Sequence, residues 1–328
     1  MHRGSEPDNS PKGSLSSVKG RYKAEPGDAK KLNQHGMKML FVSTDFSATG
    51  NNAVKYAVQY ASSIRCNLVV FHMVHMPKFS PTLTEAGYQD LKKNEEDTRR
   101  RKLEGVVDKI YRDLLLKKNM SKVSVAVETG IFVTETLVSV ARTLKADLII
   151  VGTHGAAGLK LFGSTSSEII FKSQVPVLAI PPRYRYRKMN TIVYASDFKN
   201  VMNELRCIVP IASPTKTAIE ILNIGKDNTK AIAGDKDLFK QVKYNKIKVI
   251  VQNERQGVPI VEQLQRYLKR RRPEVFVMFP EERSLFDKLF VRSKTENLVY
   301  QIKLPLLTFL KSRVKNYNNH IYENSRAY

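Results

Sequence analysis

Five short apolar runs, at Met39–Val42, Leu68–Val74, Val123–Val127, Leu148–Val151 and Val175–Ile180, alternate with helical patterns at about 50–64, 86–118, 132–145 and 165–173. Runs this short and rich in β-branched residues suit strands buried on both faces of a parallel sheet. Strand and helix in alternation predict a doubly wound α/β unit. The order then begins again at Thr191–Ala195, Ile219–Ile224, Ile247–Val251, Val275–Phe279 and Leu304–Leu310. Anchor residues correspond: Ser43-Thr44-Asp45-Phe46 with Ala195-Ser196-Asp197-Phe198, Gly130 with Gly257, Glu168 with Glu296, and Val175-Pro176 with Leu304-Pro305. Two copies of one five-stranded unit are expected, the first longer through the charged helix after its second strand. Pro181-Pro182 stops the fifth strand, since proline cannot donate to a ladder. The division that follows is a disordered tail over 1–36, a first domain over 37–182, a basic linker over 183–188, a second domain over 189–312 and a basic tail over 313–328.

The stretch from Asp147 to Ser164 carries the chemistry. An apolar strand, Leu148–Val151, ends in Gly152, Gly155, Gly158 and Gly163-Ser164. Glycines at the carboxyl end of such a strand let backbone N–H groups approach a phosphate, because no Cβ intervenes. Ligands of open α/β sheets gather at that edge. The same glycines also suit a strand-to-helix turn that binds nothing, and both readings stand at this point.

A net charge of +24 raises nucleic acid as a partner. The excess is spread, with +3 in residues 1–36, +7 in 37–183, +11 in 184–310 and +3 in 311–328. Local peaks fall at Arg99–Lys102, Arg185–Lys188 and Lys269–Arg272. The first follows Glu95-Glu96-Asp97, so i,i+4 pairing is expected; the third sits where a helix should end, and cations there complement the helix dipole. General attraction to polyanions follows, with no motif for specific recognition. No apolar run nears the ~18 residues of a membrane span, and the first 36 residues lack the apolar core of a secretory signal. The two cysteines, Cys66 and Cys207, have no metal-ligand spacing and are too few for a disulfide framework. A cytoplasmic protein is the expectation.

In the first unit a strand ends in Ser-Thr-Asp-Phe-Ser (43–47), and a second reads Leu-Val-Val-Phe-His (68–72). Val-Glu-Thr-Gly (127–130) precedes a helix, Ala-Asp-Leu-Ile-Ile-Val-Gly-Thr-His-Gly spans 146–155, and Pro-Val-Leu-Ala-Ile (176–180) closes the unit. In this order the residues resemble the universal stress protein family in its tandem two-domain form, strongly in the first half and faintly in the second. The resemblance implies two Rossmann-like, adenine nucleotide alpha hydrolase-like domains, each a five-stranded parallel sheet of order 3-2-1-4-5 with helices on both faces. It implies a bacterial stress-response binding module, not a metabolic enzyme, with ATP and Mg²⁺ at the carboxyl edge of the first domain. Carried over, Asp45 takes a ribose hydroxyl or helps place metal-bound phosphates, Ser43 and Leu68 lie against the adenine with backbone contacts, and Thr44 is counted among the nucleotide-binding residues. Val151 and Gly152 border the ribose, and Gly155, Gly163, Ser164 and Thr165 hold phosphate. The last strand of a unit often makes the dimer contact in this family, so a homodimer or an intrachain pairing of the two last strands is implied.

The chain departs from the family's Gly-x2-Gly-x9-Gly-Ser/Thr by having seven residues, not nine, between Gly155 and Gly163. Either the loop takes a tighter path with Gly158 helping, or the phosphate cradle is incomplete. The second unit keeps the spacing without the glycines: Phe279, Glu282 and Arg292 stand in their places. Cβ atoms and the Glu281-Glu282 pair make a poor polyphosphate host, so that site reads as dead. His72 and His75, three apart on a strand, point to opposite faces and do not chelate together, which favours structural histidines. No catalytic base or Walker lysine is visible. The rival readings are a nucleotide-free interaction scaffold of the same fold and a basic protein associated with RNA or another polyanion.

Overall fold

The computed structural model describes residues 37–76, 84–116, 121–153, 164–225, 242–281 and 303–319. The first unit supplies β1 (Met39–Ser43), β2 (Asn67–His75), β3 (Val123–Gly130), β4 (Leu148–Gly152) and β5 (Val177–Ile180). The second supplies β6 (Thr191–Ala195), β7 (Ala218–Gly225), β8 (Ile247–Asn253), β9 (Val275–Met278) and β10 (Leu306–Thr308). They join in one ten-stranded sheet of order β3-β2-β1-β4-β5-β10-β9-β6-β7-β8. Each half therefore has the order 3-2-1-4-5, and the halves meet last strand to last strand. All pairs are parallel except that seam, where Leu306, Leu307 and Thr308 run antiparallel to Ala179, Leu178 and Val177. The intrachain pairing that the sequence left as one of two options is the one present.

Alternating side chains along the strands feed two helix layers. Leu40, Val42, Leu68 and Val70 pack on one face against α1 (Ala48–Ile64), α2 (Glu85–Asp113) and α5 (Val201–Ala212). Phe41, Val69, Phe71 and Ile149 pack on the other against α3 (Val133–Thr143), α4 (Ser164–Lys172) and α6 (Ile260–Arg271). The buried stripe of α1 is built on Ala53, Ala57 and Ala61, small residues that let the helix lie close to the sheet. Its start is set by Ser47, whose Oγ accepts from the Gly50 N–H at 3.0 Å. Its end is set by Arg65 in the left-handed conformation.

Three expectations about the periphery change. The helical pattern expected over about 86–118 does not bury all of its leucines: Leu91 and Leu115 are exposed, Leu115 at 91%. Helix α2 ends at Asp113, so Leu115 falls in the turn beyond it; the buried stripe is Leu103, Val107, Ile110 and Tyr111. Residues 183–188 are not a free linker: Tyr184 and Tyr186 pack on Tyr56 of α1 with ring centroids 6.3 and 5.2 Å away. The segment after Ser312 was expected to be a tail, but 314–319 is helical and sends Val314 and Tyr317 into the core.

Candidate functional site

The carboxyl edge of the first unit begins with the turn that leaves β1. Thr44 N donates to Phe71 O at 2.9 Å, which carries β1 one residue past its last strand position. The Thr44 hydroxyl then accepts from Phe46 N at 3.0 Å, and the Asp45 carboxylate accepts from Ser47 N at 2.9 Å. These local bonds hold Phe46 at φ 64°, the left-handed region that β-carbon-bearing residues avoid. The second unit repeats the turn: Phe198 is also at φ 64°, Ser196 Oγ accepts from Phe198 N at 3.0 Å, and Asp197 Oδ1 accepts from Lys199 N at 3.0 Å. A strained turn kept in both halves belongs to the fold itself.

His72 completes the turn. Its Nδ1 lies 2.8 Å from the Thr44 carbonyl, so in the neutral ring Nδ1 carries the hydrogen and donates. The ring sits 4.2 Å from that of Phe46, and the Lys102 ammonium of α2 lies over the Phe46 ring at 4.3 Å. Burial, with Arg99 and Lys102 nearby, lowers the His72 pKa from its usual value. Asn223 takes the same place in the second unit, donating to Ser196 O at 2.8 Å. His72 is therefore a structural tie, and among the described residues no group of three His, Cys, Asp or Glu could hold a metal ion.

The site residues inferred from sequence are only partly brought together. Ser43, Thr44 and Asp45 end β1, with Thr44 buried and Asp45 exposed. Val151 and Gly152 end β4, on the strand beside β1 and at the same edge. Thr165 is exposed in the first turn of α4, and Ser166 donates from its hydroxyl to Gly152 O at 3.0 Å, tying that helix start to the edge. Gly155 and Gly163, together with the path of the shortened loop and the side chain of Ser164, lie outside the described residues. Leu68 is misplaced by the sequence reading. It pairs with Leu40 near the amino end of β2 and is fully buried, whereas the β2 residue beside Ser43 is Phe71. The residue on that face past the end of β1 is Met73, which the sequence reading passed over because nothing in an apolar run marks where its neighbour stops.

Gly152 has a packing reason of its own. A Cβ there would sit 2.7 Å from the Thr49 carbonyl oxygen, inside the first turn of α1. Replacing Gly152 by alanine is expected to lower stability by about 1–3 kcal/mol through overpacking. Thermal unfolding without any ligand measures this, and a wild-type melting temperature would contradict the contact.

Register assigns Phe279 as the counterpart of Gly152, because Ile150 faces Val42 as Val277 faces Tyr194. The Phe279 ring stacks on Phe309 at 4.9 Å and 10° and meets Tyr194 edge-on at 5.5 Å. Aromatic rings thus fill the carboxyl edge of the second unit. Its aspartate is engaged as well: Lys311 Nζ lies 3.5 Å from Asp197 and 2.5 Å from Glu281. Beneath them Glu204 accepts a short hydrogen bond from the Tyr194 hydroxyl, and burial lifts its pKa to about 7. Of the residues expected at this dead site, Glu282 and Arg292 lie outside the described ones. The anchor pairing of Gly130 with Gly257 is also revised, since Val127 faces His72 as Val251 faces Asn223, which sets Gly130 against Glu254.

Comparison with known proteins agrees with this geometry. The universal stress protein family matches residues 37–181. The universal stress protein MJ0577 of Methanocaldococcus jannaschii is 28% identical over 155 residues, covering 44% of this chain and 94% of that protein. A universal stress protein structure from Archaeoglobus fulgidus superimposes with a TM-score of 0.61 at 14% identity, over 83% of this chain and 98% of the other. A Pseudomonas aeruginosa protein of unknown function follows at 0.51 and 11% identity, over 88% and 99%. The likeness to these two extends across both halves of the sheet and shows the fold. Over residues 37–181 the chain matches the universal stress protein family and is UspA-like there, and the fold of such proteins extends across both halves of the sheet.

Proposed function

We propose that the chain is a tandem stress-response binding module that takes an adenine nucleotide at the carboxyl edge of its first unit only. The observation that carries this reading is the contrast at one register position. Gly152 has no side chain where, in the second unit, the Phe279 ring stacks on Phe309. The residues present fit a nucleotide: an exposed carboxylate at Asp45, a glycine at the end of β4, and an exposed hydroxyl at Thr165 in the first turn of α4. Backbone N–H groups at a helix start favour phosphate, and Asp45 suits a ribose hydroxyl or a magnesium ion between the phosphates. Hydrolysis is not part of the proposal.

Titration with a fluorescent ATP analogue, with and without Mg²⁺, tests it. Saturable binding is expected. Asp45→Ala should weaken it by about ten-fold or more, the loss of one charge-assisted hydrogen bond of about 1.5–3 kcal/mol, and Gly155→Val should abolish it. No binding at millimolar analogue would favour the second reading, a nucleotide-free scaffold, which the loop two residues short of the family spacing supports.

A further inference from the structure

The antiparallel seam has a geometric result: the carboxyl ends of β1–β5 and the amino ends of β6–β10 lie along the same long side of the sheet. On the second unit's part of that side, cations arrive from separate segments. The connection reads Arg-Tyr-Arg-Tyr-Arg-Lys over 183–188 and alternates in exposure. Tyr184 and Tyr186 turn inward and are pinned, one hydroxyl donating to Glu274 O at 3.3 Å and the other to Ser63 Oγ at 2.7 Å. Arg185 and Arg187 are exposed with the two-residue period of an extended chain, and Arg183, at φ 59° in the turn before them, is exposed as well. At the same edge, from the helix layer on the other face of the sheet, α6 ends in exposed Lys269, Arg270, Arg271 and Arg272, and exposed Lys246 and Lys248 flank the first residue of β8.

The acidic residues within this surface are turned to the chain's own groups. Glu274 accepts from the backbone N–H groups of Asn190 and Thr191, at 3.1 and 2.9 Å. Glu220 holds Arg271 with two bonds of 2.7 and 2.8 Å. The other described acids of the unit, Asp197, Glu204, Glu254, Glu262 and Glu281, follow strand ends or open helices, which places them at the opposite edge. Five of the seven described acids of the unit therefore lie at the opposite edge, where Lys199 and Lys311 accompany them, and the two on this side are taken up by the chain's own groups. Helix-dipole complementation accounts for cations in the last turn of α6; it does not account for the connection or for β8.

We propose that this amino edge of the second unit binds the phosphate backbone of a nucleic acid without regard to sequence. Arginine forks match phosphate oxygens in pairs, and anchored tyrosines hold the arginine row in place before a ligand arrives. Among the described residues, the exposed large apolar ones, Leu91, Leu115, Phe132, Val133 and Ile260, all lie outside this surface. A membrane-surface site would need such residues to insert, so a polyanionic strand is the better fit.

Fluorescence anisotropy of the full chain with a labelled single-stranded RNA of about 20 nucleotides, from about 50 to about 200 mM salt, tests the proposal. The wild type should bind with an affinity that falls steeply with salt. R183Q/R185Q/R187Q/R270Q should bind at least about ten-fold more weakly, with a log–log salt slope shallower by about 0.7 for each phosphate that is no longer neutralised. The matching arginine-to-lysine variant should keep the slope, and both should keep the wild-type melting temperature and ATP-analogue binding. K109Q/R112Q/R142Q/K145Q removes the same charge from exposed positions of the first unit and should bind like wild type. Equal weakening by that control would reduce the effect to net charge and overturn the proposal. Capture by phosphatidylserine vesicles without RNA binding would overturn it in favour of a lipid surface.

Discussion

Phe309→Ala is expected to destabilise the chain by about 3–5 kcal/mol, the range for truncating a buried aromatic that neighbours cannot replace. Phe309 is 1% exposed. It stacks on Phe279 on one side and receives Tyr317 edge-on at 5.7 Å on the other. Removing it takes away the platform on which the last helical segment rests. Val314 also enters the core, and polar contacts add to the hold: Asn318 donates to Asn203 O at 3.2 Å, Cys207 donates to Asn318 at 3.2 Å, and Arg313 donates to Lys172 O at 2.9 Å. Arg313 also donates to Ser173 O, so the segment fastens the second unit to the end of α4 in the first. Urea unfolding followed by circular dichroism should show the midpoint falling, and proteolysis should release the segment first. A drop in stability under about 1 kcal/mol would mean that the aromatic stack does not support the segment.

The second large effect is a dependence on pH at Glu204. Burial raises its folded pKa to about 7, above the ordinary carboxylate value, with Glu281 adding to the rise and Lys311 opposing it. In the unfolded chain the group titrates near 4.5. Between these values the folded state holds a proton that the unfolded state lacks. The contribution of this group to stability is therefore full below about pH 4.5 and is lost as pH rises through about 7. Glu204→Gln keeps an acceptor for the Tyr194 hydroxyl and removes the charge. The variant should match wild type near pH 4 and be more stable at pH 8, on the order of 1–3 kcal/mol. Melting temperatures of both proteins across that range check it. A gap independent of pH would place the effect in packing.

Much of this architecture was legible in the sequence because doubly wound sheets bury short β-branched runs on both faces. Both sets of five runs became strands, and the Thr44-Asp45-Phe46 turn and its copy at Ser196-Asp197-Phe198 match in their hydrogen bonds. What pattern could not supply was register. Leu68 was placed at the ligand edge by the family resemblance; the pairing of β2 with the shorter β1 puts that edge at Phe71 and Met73. The helical pattern read over about 86–118 outruns the helix for a related reason, since the apolar period persists past Asp113, the last helical residue. Gly152 read as a phosphate approach, and its contact with Thr49, 103 positions earlier in the chain, has no local signal. The tyrosines of the connection were hidden by the arginines between them: composition gave a basic segment, and the packing on Tyr56 made it a rigid one.

The seam between β5 and β10 bears on how this chain is made. Thr308 donates from its hydroxyl to Val177 O across 131 residues of sequence. At about 5–20 residues per second on a ribosome, β5 waits roughly 7–26 s for its partner strand to be synthesised. During that interval an apolar edge with unpaired backbone groups stands open at the end of an otherwise finished sheet, the template on which neighbouring nascent chains pair wrongly. Translation speed over residues 181–306 is thus a determinant of yield, and slowing it should raise the share of chains that need chaperone rescue.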